Sequence, residues 1–143
     1  MSIKYIIGML LIIAVSVCIV GSATDYSGPK KLFEQNLVEL TPGIFSPNVY
    51  ISERIVEVDY RSYSTTRTKM VADMASVMGG YWAIVLQYPE VGDLKATLRA
   101  PNGDLVGTYR CEKEWLDGKD PKNDEDMVDL FYQVTQTIKT ASS

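Results

Sequence analysis

The sequence predicts an α+β domain with a single, mainly antiparallel sheet in the order α-β(β)-α-β-β-β-α, helices packed mostly on one face, and an apolar segment ahead of it. Three observations carry this. Asn102-Gly103 sits between two segments that alternate in polarity, as hairpin strands do. Apolar residues recur at helical spacing in three separate stretches. Residues 5–20, Tyr5 to Val20, contain no charged side chain.

That uncharged run follows Lys4 and leads into Gly21-Ser22-Ala23, small residues suited to signal-peptidase cleavage. It nearly reaches the ~20 residues of a membrane-spanning helix. Residues 1–23 are therefore either a cleaved signal peptide or a retained membrane anchor, and residues 24–143 an extracytoplasmic domain, membrane-anchored facing outside or secreted. Cys18 follows Val17, which does not suit a lipoprotein site.

Residues 24–31 are a polar spacer. Pro29 after Gly28 opens a short helix through Leu40, with Leu32, Phe33, Leu37 and Leu40 on one side and Thr41-Pro42-Gly43 ending it. Residues 48–63 read as one strand or two, with Ser52-Glu53-Arg54 as the bend; Val56, Val58 and Tyr60 alternate with Glu57, Asp59 and Arg61. Ser64 or Thr65 then caps a helix carrying Met70, Val71, Met74, Val77 and Met78, which Gly79-Gly80 stops. Tyr81 to Tyr88 reads as a central strand, nearly all apolar.

A two-residue turn at Asn102-Gly103 sets a register: Leu94 opposite Cys111, Lys95 opposite Arg110, Ala96 opposite Tyr109, Thr97 opposite Thr108, Leu98 opposite Gly107, Arg99 opposite Val106 and Ala100 opposite Leu105; the alternative is a longer turn over Pro101 to Asp104, which would shift the pairing. One face then carries Leu94, Ala96, Leu98, Leu105, Tyr109 and Cys111 and belongs to the core. The other carries Lys95, Thr97, Arg99, Val106, Thr108 and Arg110 and faces water. After a charged loop holding Trp115-Leu116, a final helix starts at Asp120-Pro121 or Asn123, with three acids in its first turn and an apolar stripe of Met127, Phe131, Val134 and Ile138. Over residues 29–140 this order is similar to that of the profilin, roadblock and PAS or Cache sensor group; the similarity is one of element order and implies no activity.

Composition restricts the chemistry. There is no histidine, so Ser-His-Asp and Cys-His catalysis and histidine-ligated zinc lie outside what this chain supplies alone. Beyond residue 23 only Cys111 remains, which rules out an internal CxxC pair. Without residues 1–23, which hold one lysine and no acid, the net charge moves from −4 to −5, unsuited to nucleic acid. The acidic stretch from Asp117 to Asp126 lacks EF-hand spacing and is better explained by a loop and helix start than by calcium. Neither a cofactor nor a metal site is expected.

The candidate ligand-binding residues are Lys95, Arg99 and Arg110, gathered on the wet face of the hairpin. They call either for a charge lattice with Glu57 and Asp59 or for an anionic ligand, a lipid headgroup or an acidic protein surface. The reading is an exported or membrane-anchored domain that acts by ligand or protein binding. A structural cell-surface or filament subunit, and a small hydrolase using carboxylate or Ser-Lys chemistry, are the alternatives.

Overall fold

A computed structural model describes residues 25–41, 43–63 and 66–141; the apolar segment, Ser64 and Thr65 lie outside these. Helix α1 spans Ser27–Leu40, strand β1 Ile44–Ser52, β2 Ile55–Ser62, helix α2 Arg67–Gln87, β3 Leu94–Arg99, β4 Leu105–Cys111, a 3-10 turn Lys113–Leu116, helix α3 Asp124–Thr135 and β5 Lys139–Thr140. The fold is α+β, with one open sheet in the order β1-β2-β3-β4-β5. Three of its four pairings are antiparallel; β2 and β3 are parallel. Two strands joined by a long helix can run parallel, and α2 is that crossover. Among the described residues no helix is long and apolar enough to cross a membrane.

The main departure from the sequence reading lies at Gly79-Gly80. They do not end a helix, and Tyr81 to Tyr88 is not a strand: α2 runs unbroken for 21 residues to Gln87. Period-two and helical spacing are hard to separate in a short, all-apolar run. Burial decides the matter, since Val77, Met78, Tyr81 and Ile84 are buried at helical spacing while Leu86, the third residue of the supposed strand face, is 64 % exposed. Gly80 is where α1 crosses α2; a Cβ there would lie 3.1 Å from the Phe33 ring. Losing the Tyr81–Tyr88 strand removes the similarity in element order. Thr66, not Ser64 or Thr65, is the N-cap of α2, its hydroxyl accepting from the Lys69 amide at 3.4 Å.

Inside the hairpin the expected pairs from Leu94 with Cys111 to Leu98 with Gly107 are present. At the tip Arg99 pairs with Leu105 instead of Val106. Pro101 and Asn102 occupy the centre of a turn closed by the Gly103 amide on the Ala100 carbonyl at 2.9 Å, and Gly103 follows at φ +97°. Proline's fixed φ suits the first central position of such a turn. The extra residue swings Leu105 out of the core, leaving it 46 % exposed.

The β1–β2 bend is a two-residue turn with Glu53 and Arg54 both at positive φ, and Ser46 before Pro47 forms a bulge in β1. Asn123 caps α3, accepting from the Asp126 amide at 3.1 Å. Helix α3 stops at Thr135, and β5 adds an edge strand that the sequence reading had left within the final helix. Core residues from β2, β3 and β4 face the helices, while Glu57, Asp59, Lys95, Thr97, Arg99, Thr108 and Arg110 lie on the opposite face.

Candidate functional site

The register sets charged residues in rows across the bare face of the sheet. Glu57, Lys95 and Arg110 are aligned on β2, β3 and β4, and Arg61 pairs with Arg99. The Arg99 guanidinium donates to both oxygens of Asp59, Nε at 2.8 Å and 3.1 Å and Nη2 at 3.0 Å. This pair holds its pKa above the ordinary arginine value. Arg110 pairs with Glu112 at 2.5 Å and lies over the Trp115 ring, 5.5 Å from its centroid. Two of the three candidate cations are thus partnered within the chain, Arg99 by the acid that the charge lattice required. Lys95 forms no ion pair among the described residues.

Beneath α2 lies a buried polar cluster. Asp73 is 1 % exposed and accepts from Ser62 Oγ and from Lys69 Nζ, both at 2.7 Å. The carboxylate therefore stands between the serine and the lysine, and Ser62 is itself 1 % exposed. A serine nucleophile activated by lysine would need the two in contact and open to substrate. This arrangement ties β2 to α2 and does not favour the Ser-Lys hydrolase. Nearby, the hydroxyls of Tyr60 and Tyr109 meet at 2.7 Å inside the core. Burial pushes both tyrosines above their ordinary pKa. Cys111 is fully buried opposite Leu94, and burial raises its thiol to about 12.

Another opening lies along α2, on the side of α3 and the β4–β5 edge. Helix α3 leans on β4 more than on α2, and two neighbouring cavities that share no lining residue follow one another along α2 as the two stretches of a furrow. Its upper stretch, about 530 Å³, is lined by Met70, Val71 and Met74 of α2, by Leu98 and Tyr109 of the sheet, and by Thr135, Gln136 and Ile138 at the end of α3. The lower stretch, about 250 Å³, is walled by Ala75, Met78, Gly79 and Trp82 facing Met127, Val128, Leu130 and Phe131. The upper volume is within the ~300–1,000 Å³ of small-molecule sites. Gly79 opens onto free space, since a Cβ there would meet nothing within 4 Å. Unbranched and polarizable methionine adapts to ligands of varied shape.

From the sequence alone, the methionines of α2 suit either an adaptable binding groove or a helix face packed on the sheet, and the packed face is the simpler explanation. Met74 and Met78 do pack there, being 4 % exposed, and they wall the furrow as well. Arg67 went unnoticed, and Ile138 was read only as part of the apolar stripe of the final helix. The missing signal was the position of α3, which no local pattern encodes. Between Asp117 and Asp126 the acids turn inward on the backbone, Asp126 accepting from the Asp120 amide and Asp120 from the Lys122 amide, both at 2.9 Å. Among the described residues no group of three or more acids and cysteine is placed to hold a metal ion.

Neither the curated proteins nor the solved structures contain a match to this chain. A family model described as a domain of unknown function, DUF8159, matches residues 33–143, from the middle of α1 through β5. With that match covering well over half of its length, the chain belongs to the DUF8159 family.

Proposed function

We propose that residues 24–143 form an extracytoplasmic ligand-binding domain, exported or held at a membrane by residues 5–23, and that its ligand occupies the furrow between α2 and α3. The domain works by binding and not by catalysis. The furrow itself carries this reading: a largely apolar cleft of suitable volume, walled by adaptable side chains. An apolar dye such as Nile red tests it on the full chain in phosphatidylcholine nanodiscs. Gly79→Leu sends a side chain into the lower furrow while improving helix propensity. Saturable dye fluorescence that Gly79→Leu abolishes is the expected result; fluorescence unchanged by that substitution overturns the reading.

A second reading rests on Lys95, a cation of the bare face with no ion pair among the described residues, on the same face as Arg99 and Arg110. That face holds Arg61, Lys95, Arg99, Arg110 and Lys139 against Glu57, Asp59 and Glu112, a net positive surface on an acidic domain. In this reading it docks an acidic protein surface. Replacing Lys95, Arg99 and Arg110 together by Gln should remove salt-sensitive binding of polyglutamate without unfolding the domain. Binding that survives the triple change removes the reading.

A further inference from the structure

Resting on the furrow as ligand site, we infer that its natural occupant is a single-chain anionic amphiphile of the fatty-acid type, its head at Arg67 and its tail running down the furrow toward Trp82. Three features point to this occupant. First, the lower stretch is walled entirely by apolar side chains and Gly79. A peptide lying there would leave backbone amides without hydrogen-bond partners, a cost that a hydrocarbon chain does not incur. Second, polarity is graded along the furrow: threonines, Gln136 and Arg67 occur only at the upper end.

Third, Arg67 is the one charged residue among those lining either stretch, and it is exposed at the mouth. Among the described residues no acid is within ion-pair distance of it. It also opens α2, whose first turn contains no acid. A cation at the positive end of a helix is unfavourably placed unless an anion joins it. A bound carboxylate at the mouth would supply that charge. From Arg67 to Trp82 the helix rises about 22 Å, at ~1.5 Å per residue, which gives the tail a long apolar track.

Trp82 is a built-in reporter, because it walls the lower furrow and the chain's other tryptophan, Trp115, does not line it. The test uses the full chain carrying Trp115→Phe in phosphatidylcholine nanodiscs, titrated with terminally brominated hexadecanoate and, separately, with the matching uncharged brominated hexadecanol. Both should quench Trp82 saturably, and Gly79→Leu should abolish the quenching by either. Arg67→Gln should weaken the carboxylate at least fivefold and leave the alcohol within twofold. Equal weakening of both overturns the head-group assignment. Absence of quenching, while Nile red binding remains sensitive to Gly79→Leu, overturns the acyl ligand and leaves the furrow as the site. Loss of both signals overturns site and ligand together. Quenching that persists in Gly79→Leu places the acyl chain elsewhere and also overturns the inference.

Discussion

Gly79 and Gly80 are adjacent in one helix, and the structure gives their alanine substitutions opposite signs. At both positions alanine removes the entropic cost of glycine in a helix, a gain of roughly 0.5–1 kcal/mol. At Gly79 the new methyl meets nothing within 4 Å, so the gain stands in full. At Gly80 it would sit 3.1 Å and 3.4 Å from two ring carbons of Phe33. Favourable carbon contacts lie at ~3.5–4.0 Å, and Phe33 is completely buried with little room to retreat. Overpacking of this kind costs about 1–3 kcal/mol. Gly80→Ala should therefore be neutral to about 2.5 kcal/mol destabilised, and Gly79→Ala about 0.5–1 kcal/mol more stable. Urea unfolding of the full chain, followed by far-ultraviolet circular dichroism, measures both. Had the two glycines formed a left-handed turn, each alanine would cost roughly 1–2 kcal/mol. Comparable destabilisation by both would refute the continuous helix and, with it, the placement of Trp82 in the furrow.

Three further outcomes follow from the buried polar groups. Tyr60→Phe or Tyr109→Phe alone strands a buried hydroxyl and should cost about 1–3 kcal/mol, whereas the double variant removes both and should cost clearly less than the sum; additive melting shifts would show that the hydroxyls do not meet. Asp73→Ala leaves Ser62 without its carboxylate acceptor and Lys69 without its counter-ion, and should destabilise by about 2–4 kcal/mol, less than a fully buried pair because Lys69 is partly exposed; a loss under half a kcal/mol in urea unfolding would contradict the burial of Asp73. Tyr60, Tyr81, Tyr109 and Cys111 all have raised pKa values, so their neutral forms contribute stability that is complete below the unfolded values and is lost as pH rises above them. Stability should accordingly hold at pH 8 and fall from about pH 9 upward, by roughly 1.4 kcal/mol per pH unit for each buried group once its unfolded value is passed, and Cys111 should resist thiol reagents until the domain opens; flat stability to pH 11 or rapid labelling at pH 8 would each count against the core as described.

Legibility in the sequence followed the range of the interactions. The hairpin's inner register was readable because opposed residues share a face, and a slip would have set charges against leucines. Its tip was readable only as two alternatives, and the turn that includes Pro101 is the one formed. The cap at Asn123, the end of α1 at Leu40 and the bend at Glu53-Arg54 are local and could be read. Helix α2 failed because Gly79-Gly80 carries a strong local stop signal that tertiary packing overrides: Gly80 is a contact point for Phe33, 47 positions earlier, which no local window contains. The pairing of Arg99 with Asp59 was foreseen as a lattice, yet it depended on β2 lying beside β3, a consequence of the α2 crossover. The furrow was the least legible feature, since it exists only through the distance at which α3 settles from α2.

The measurement that most directly tests the furrow as the ligand site is methyl NMR of methionine-labelled full chain in phosphatidylcholine nanodiscs, titrated with hexadecanoate. Four of the six methionines, Met70, Met74, Met78 and Met127, line the furrow. The account predicts saturable shifts of those four methyl signals that disappear in Gly79→Leu. Furrow methyls that stay fixed while ligand binds would contradict it.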